Sequence, residues 1–282
     1  MEIGQFGVWT TYRAIGEDNA GAAARLAEDL GYSVFWLGGS PRLPRVRPLL
    51  EASETLVVAT SIVNIWAYEP AQLAAEYALL ARDFGERLLV GVGVGHPEAT
   101  SDYSRPLTAM RTFLDGLDAA DPPLPQDRRA LAALAPKMLA LSAERSLGAL
   151  PYFVPLAHTT AARGQLGSGP LLAPEVAVVV DDDAERARAA ARAYAKLYLG
   201  LSNYTNNLLA LGFSEEDVAG GGSDRLIDAV VPHGTPDELA RIAAAHLGAG
   251  ADHVALQVVG EAGIPHQGWA SLAAALGRER TA

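Results

Sequence analysis

Short apolar runs with strand character alternate with helix-like stretches almost from end to end, and this alternation leaves few folds open. Eight runs qualify as strands, at 3–10, 32–37, 56–63, 87–94, 129–134, 150–154, 172–180 and 253–259. Several, such as VFWL and LLVGVGV, are apolar without a break, as parallel strands buried on both faces require. The count points to an α/β fold, a (β/α)8 TIM barrel; an open doubly wound sheet is the alternative.

Helices read out between the strands. Asp18 is placed to cap the first, Leu26 and Leu30 share a face, and Gly31 follows where a terminating glycine belongs. Others are expected at 70–84, 136–147, 183–199 and 236–247, with Pro136 and Pro236 in first turns. The stretch from Ser202 to about 230 is too long for one connection and is expected to add extra helices before the last strand. A chain of 282 residues then forms one domain, 1–282, since such barrels run to about 250 residues.

Composition excludes several functions. A formal charge of −11 argues against nucleic acid as a partner. No apolar run approaches the roughly 20 residues that span a bilayer, so no membrane association is expected. The absence of Cys removes disulfides and thiolate chemistry. Together with an N-terminus lacking a basic region before a long apolar one, this gives a cytoplasmic location as the expectation. No metal site is expected, because the six histidines are scattered without an HxH or HExxH pair. No GxSxG elbow marks a serine hydrolase. The GVGVG run at 91–95 lacks the spacing of a dinucleotide loop; Gly91 and Gly93 read as tight barrel packing, Gly95 as room for a ligand.

Barrel enzymes keep their chemistry at the C-terminal strand ends. There the chain offers Trp9, Gly38, Gly39, Ser61, Ile62, Asn64, Trp66, Gly95, His96, the run Ala133, Leu134, Ala135, Pro136, and Tyr152 with Phe153. The set is aromatic and glycine-rich with few ionisable groups, as a planar ring lying against backbone would need.

The stretches YSVFWLGGSP, LVVATSIVNIW, RLLVGVGVGHPE, ALAPKMLALSAERSLGALPYFVPLAHT and GPLLAPEVAVVVDDDAERAR resemble the luciferase-like monooxygenase superfamily. More narrowly, they resemble its branch of F420-dependent oxidoreductases. The resemblance covers nearly the whole chain in order. It implies a luciferase-like TIM barrel with a non-proline cis peptide at Ser61-Ile62, in a bulge behind a deazaflavin ring. Val63, Asn64 and Trp66 would then neighbour the ring. Relatives use backbone groups after the fifth strand around the cofactor, which maps to Ala133, Leu134 and Ala135 ahead of helical Pro136. A helix N-terminus there suits an anion on independent grounds. Tyr152, Phe153 and Val154 would complete the wall, with Lys137 or Arg163 available for a phosphate.

Two positions depart from the family. Gly38-Gly39 stands where some deazaflavin dehydrogenases carry an Asp-His pair, and His96 where sugar-phosphate-oxidising relatives carry a catalytic Glu. An imidazole ionises near neutrality and would serve as the proton-transfer group, although a lone His at a strand end is also a common structural residue. Arg42, Arg45 and Arg47 would meet an anionic cofactor tail or remain solvated loop residues. The expected activity is hydride transfer between coenzyme F420 and a small organic substrate. The alternatives are an FMN-dependent monooxygenase supplied by a separate reductase, and a non-catalytic flavin-binding protein. A homodimer is expected by resemblance.

Overall fold

The computed structural model describes residues 3–99 and 103–277. Its strands are β1 (Phe6–Thr10), β2 (Val34–Gly38), β3 (Val57–Ser61), β4 (Val63–Asn64), β5 (Leu88–Gly93), β6 (Arg129–Leu131), β7 (Gly148–Ala149), β8 (Leu171–Leu172), β9 (Glu175–Val180), β10 (His233–Gly234) and β11 (Val254–Val258). All the pairings are parallel, in the order β9-β11-β1-β2-β3-β5-β6-β7-β8, with β4 pairing β5 and β10 pairing β9.

The order closes into a barrel because β8 and β9 are one bent strand. β8 pairs β7 on one side and β9 pairs β11 on the other. Between them Ala173 donates to Ala149, and Pro174 accepts from Ala255. Pro174 has no N–H of its own, so it breaks the ladder where the strand changes partner. β3 and β4 likewise fill one position. Eight positions result, and the open-sheet alternative falls away.

Side chains alternate across the barrel wall as strand geometry requires. Trp9, Val34, Trp36, Val57, Ala59 and Leu89 meet inside the barrel. Val8, Phe35, Leu37, Val58, Leu88 and Val90 lie in the layer beneath the helices. Trp36 Nε1–H donates to His253 Nε2 at 2.9 Å, and His253 Nδ1–H donates to the Gly4 carbonyl, so this histidine is a neutral core residue. At Gly91 a Cβ would sit 2.0 Å from the Thr60 carbonyl. Only glycine lets these strands approach so closely.

The helix over Pro70–Phe84 stands where it is expected. Asp183 caps Ala184–Tyr198 through Glu185 and Arg186 N–H, and Thr235 with Glu238 forms a capping box on Pro236–Gly248. Asp18 is a correction. It lies in a 3-10 turn, Glu17–Asn19, and helix Ala20–Asp29 begins after Asn19 with no side-chain cap, because Asn19 donates to the Ile15 carbonyl instead.

The strand expected at 150–154 is a second correction. The ladder there is Gly148–Ala149, while Pro151 and Pro155 and the positive φ of Phe153 (54°) keep Tyr152, Phe153 and Val154 irregular. The strand expected at 129–134 ends at Leu131. Before the last strand come helices Ser202–Ala210, Glu215–Val218 and Asp224–Val230, which form the expected insertion.

Arg129 opens β6 fully buried. It donates to Asp118 Oδ1 at 2.6 Å and to the carbonyls of Leu124 and Arg145 at 3.2 and 3.1 Å. Removing one partner of a buried pair strands the other charge. Asp118→Ala is expected to cost about 3 kcal/mol, the low end for such pairs because Asp118 is partly exposed. Urea unfolding checks this, and an unchanged midpoint would show that the carbonyls alone satisfy Arg129.

Candidate active site

A cavity of about 660 Å³ opens at the C-terminal strand ends. That size is ordinary for a small-molecule site. After β2, Gly38 is required by close approach: a Cβ there would lie 2.1 Å from the Trp9 indole. The indole therefore lies against the strand in the cavity wall. Its Nε1–H is buried with no hydrogen-bond partner. Gly39 (φ 80°) and Ser40 (φ 51°) then turn the chain along the rim.

The Ser61-Ile62 peptide is cis. Both residues line the cavity, and a Cβ on Gly93 would strike Ile62 at 2.9 Å. Asn64 lines the cavity too, its Oδ1 accepting Trp66 N–H at 3.0 Å. Val63 does not; it is fully buried beneath the helices. Trp66, expected beside the ring, is outside the lining: it packs against that core and donates from Nε1 to the Val94 carbonyl at 2.7 Å.

Gly95 (φ 65°) and His96 follow β5 in the lining. His96 Nδ1 lies 2.8 Å from Asn203 Oδ1, and its ring is 5.1 Å from that of Tyr204. With the amide oriented in this way, Nδ1 carries the proton and Nε2 keeps its lone pair.

Ala133, Leu134, Ala135 and Pro136 follow β6, and all four line the cavity. Ala135 stands at the N-terminus of helix Pro136–Arg145, which has no side-chain cap. The Leu134 carbonyl accepts from His158 Nε2 at 3.0 Å; burial pushes the pKa of His158 down. Lys137 is exposed and outside the lining.

Arg163 is a correction to the phosphate reading. It donates to the carbonyls of Gly167, Pro170 and Gly250 and pairs with Asp252, tying the loops that lead into β8 and β11 at the other end of the barrel. The arginine cluster is committed as well. Arg45 pairs with Glu17 over the Tyr12 ring, Arg47 with Asp83 and Glu51, and Arg42 donates to the Ala67 carbonyl over Tyr68. Neutralised in this way, Arg45 and Arg47 form no anion patch.

Tyr152 lines the cavity, whereas Phe153 and Val154 are buried behind it. Phe153 stacks on Tyr198 at 5.0 Å between ring centres. The opposite wall comes from Tyr198, at the end of helix Ala184–Tyr198, and from the insertion, through Asn203, Tyr204, Asn206 and Asn207. The sequence signals this only through asparagines at i, i+3 and i+4 in SNYTNN, one face of a helix. Within the described lining no residue is Asp, Glu, Lys or Arg. Among the described residues no group of three or more His, Asp or Glu is arranged to hold a metal, and no helix is long and apolar enough to cross a membrane.

Residues 3–119 match the family model described as luciferase-like monooxygenase. The match covers less than half of the chain. No curated protein matches it. Among solved structures it is similar to an F420-dependent secondary alcohol dehydrogenase in complex with an F420-acetone adduct, at 15% identity over 99% of this chain and 100% of the other, with a TM-score of 0.76. It is similar to the coenzyme F420 dependent tetrahydromethanopterin reductase from Methanopyrus kandleri, at 15% identity over 96% and 98%, TM-score 0.72. It is also similar to the oxygenating constituent of 3,6-diketocamphane monooxygenase from Pseudomonas putida, a type II Baeyer-Villiger monooxygenase in complex with FMN, at 13% identity over 98% and 97%, TM-score 0.67. The barrel fold is thus shared with two F420-dependent enzymes and with a monooxygenase in complex with FMN.

Proposed function

We propose that this luciferase-like chain is an oxidoreductase that moves a hydride between coenzyme F420 and a small neutral organic substrate. The observation that carries the reading is a cavity, uncharged in its described lining, with a single imidazole in that lining, that of His96. The residues present fit a flavin-type ring. Glycines bring backbone to the cavity wall at Gly39 and Gly95, and the unpartnered Trp9 Nε1–H offers a donor to a ring carbonyl.

We read the described lining as better suited to the deazaflavin than to FMN. It holds no Lys or Arg, so an anionic group would rest at the uncapped N-terminus beginning Ala135-Pro136. A singly charged phosphodiester suits that place better than the phosphate monoester of FMN, which carries about −1.5 to −2 at pH 7.

When bound, the deazaflavin supplies or accepts the hydride. The remaining work falls to the chain. His96 Nε2 takes the proton from a substrate hydroxyl while Asn203 Oδ1 holds the opposite nitrogen protonated. Tyr204 supports the imidazole, and the apolar walls exclude water. We further place the protein in the cytoplasm as a homodimer.

Side-by-side fluorescence titrations with F420 and FMN test the reading. Binding of F420 with a clear preference over FMN is expected. Preference for FMN would replace it with a two-component monooxygenase fed by a reductase. Binding of neither would leave a barrel without a flavin site.

A further inference from the structure

Glu175 begins β9 inside the barrel at 3% exposure, behind the wall made by Tyr152 and Tyr198. Its Oε2 accepts Phe153 N–H at 3.1 Å; its Oε1 is buried with no hydrogen-bond partner. The groups that sense it are four phenols: Tyr152 after β7, Tyr194 and Tyr198 on helix Ala184–Tyr198, and Tyr204 on Ser202–Ala210. No cation is among the groups acting on it. Burying an unpaired carboxylate is costly, and the neutral acid is the form such a place favours. Accordingly, burial pushes its carboxyl up to about 8.

The phenols form a connected cluster. Tyr152 Oη lies 2.8 Å from Tyr198 Oη and 2.7 Å from Tyr194 Oη, and both Tyr152 and Tyr194 reach Gln257 Oε1 at 3.0 Å. Three hydroxyl protons therefore serve four contacts, and the Gln257 oxygen brings none. In any arrangement one contact lacks a proton, so the protons can shift from oxygen to oxygen without breaking the cluster. Tyr194 is the phenol whose hydroxyl favours the charged form of Glu175, but no hydrogen bond joins the two in this structure, so the transfer requires the carboxyl or the phenol to turn. Tyr152 and Tyr198 stand at the other end, in the cavity wall.

We infer that Glu175 rests as the neutral acid and is a proton store for the cavity, reached through Tyr194, Tyr152 and Tyr198. When an oxygen atom of a bound substrate becomes basic, the phenol beside it gives up its proton. That phenol takes a proton from the next, and Tyr194 takes one from the carboxyl. Each phenol loses one O–H bond and gains one, the substrate oxygen gains a proton, and Glu175 ends as the carboxylate. No electron moves along this path. The inference depends on the proposed hydride transfer only for the use to which the proton is put. Glu175 acts through the phenols and is a positioning residue.

Infrared spectroscopy of the ligand-free protein tests it. Wild type is expected to show a protonated-carboxyl stretch that disappears as the pH rises through about 8 and that is missing from Glu175→Gln. Gln retains an acceptor for Phe153 N–H, so the variant removes the band and keeps that contact; a neutral but purely structural Glu175 would give the band with exchange unaffected by the phenols. In heavy water the band is expected to exchange severalfold more slowly in Tyr152→Phe and in Tyr198→Phe than in wild type. A Glu175 already ionised at neutral pH, or unaltered exchange in both folded phenylalanine variants, would overturn the inference. Neither measurement uses a cofactor, so its failure is distinguishable from failure of the F420 titration.

Discussion

In the proposed F420 reaction, replacing His96 with alanine is expected to leave cofactor binding intact and to lower the rate of hydride transfer about 10²- to 10⁴-fold, the range for loss of a positioned proton-transfer group. The expectation rests on two geometric facts. His96 lines the cavity together with the backbone glycine Gly95, and its Nδ1 is engaged by Asn203 Oδ1 at 2.8 Å. The amide oxygen accepts only, so the imidazole proton stays on Nδ1 and Nε2 meets the substrate as a base. Asn203→Ala should therefore lower kcat as well, by less, because the ring persists but its tautomer is no longer imposed. Stopped-flow absorbance of the bound cofactor, mixed with a substrate found by screening alcohols and ketones, separates binding from the chemical step. A His96→Ala protein that transfers hydride at the wild-type rate would reduce His96 to a structural partner of Asn203 and Tyr204.

The barrel was legible because its strands are apolar without interruption. VFWL and LLVGVGV cannot be half-exposed, and their spacing leaves room for one helix each. The strand ends were legible for the same reason, so Gly39, Ser61, Ile62, Asn64, Gly95, His96, Ala133 to Pro136 and Tyr152 could be named before any coordinates; the structure places them around one cavity. Resolution failed where local chemistry overrides the apolar pattern. PYFVP reads as a strand, yet two prolines and a left-handed Phe153 forbid a ladder. Val63 points away from the cavity because side chains alternate in a strand, and Phe153 and Val154 are buried behind Tyr152 where the left-handed Phe153 turns the irregular chain.

The helix ahead of the insertion hid its contribution for another reason. In ARAYAKLYLG the tyrosines Tyr194 and Tyr198, at i and i+4, look like any half-buried helix face. Only the packing of that helix over β9 turns the face into a hydroxyl cluster. Glu175 carried a signal that periodicity does not weigh: one acid inside the apolar run LLAPEVAVVV. An ionisable group at a wholly buried strand position must be paired or neutral.

That same burial gives Glu175→Gln a large effect on stability, with a definite sign. The carboxyl titrates at about 8 in the folded chain against an ordinary value of 4.5. Between those values the folded state holds a proton that the unfolded state has released. Stability from this group is therefore complete below about pH 4.5, declines as the pH rises, and is lost once the pH passes about 8. At about 1.4 kcal/mol for each pH unit, the separation caps the loss at about 5 kcal/mol. Glutamine cannot ionise and escapes it. The difference in unfolding free energy between Glu175→Gln and wild type should move in favour of the variant by several kcal/mol across that window, and other titrating groups cancel in the difference. Paired urea unfolding curves at several pH values measure it. A difference independent of pH would mean that Glu175 is ionised in the folded barrel, with some group compensating its charge.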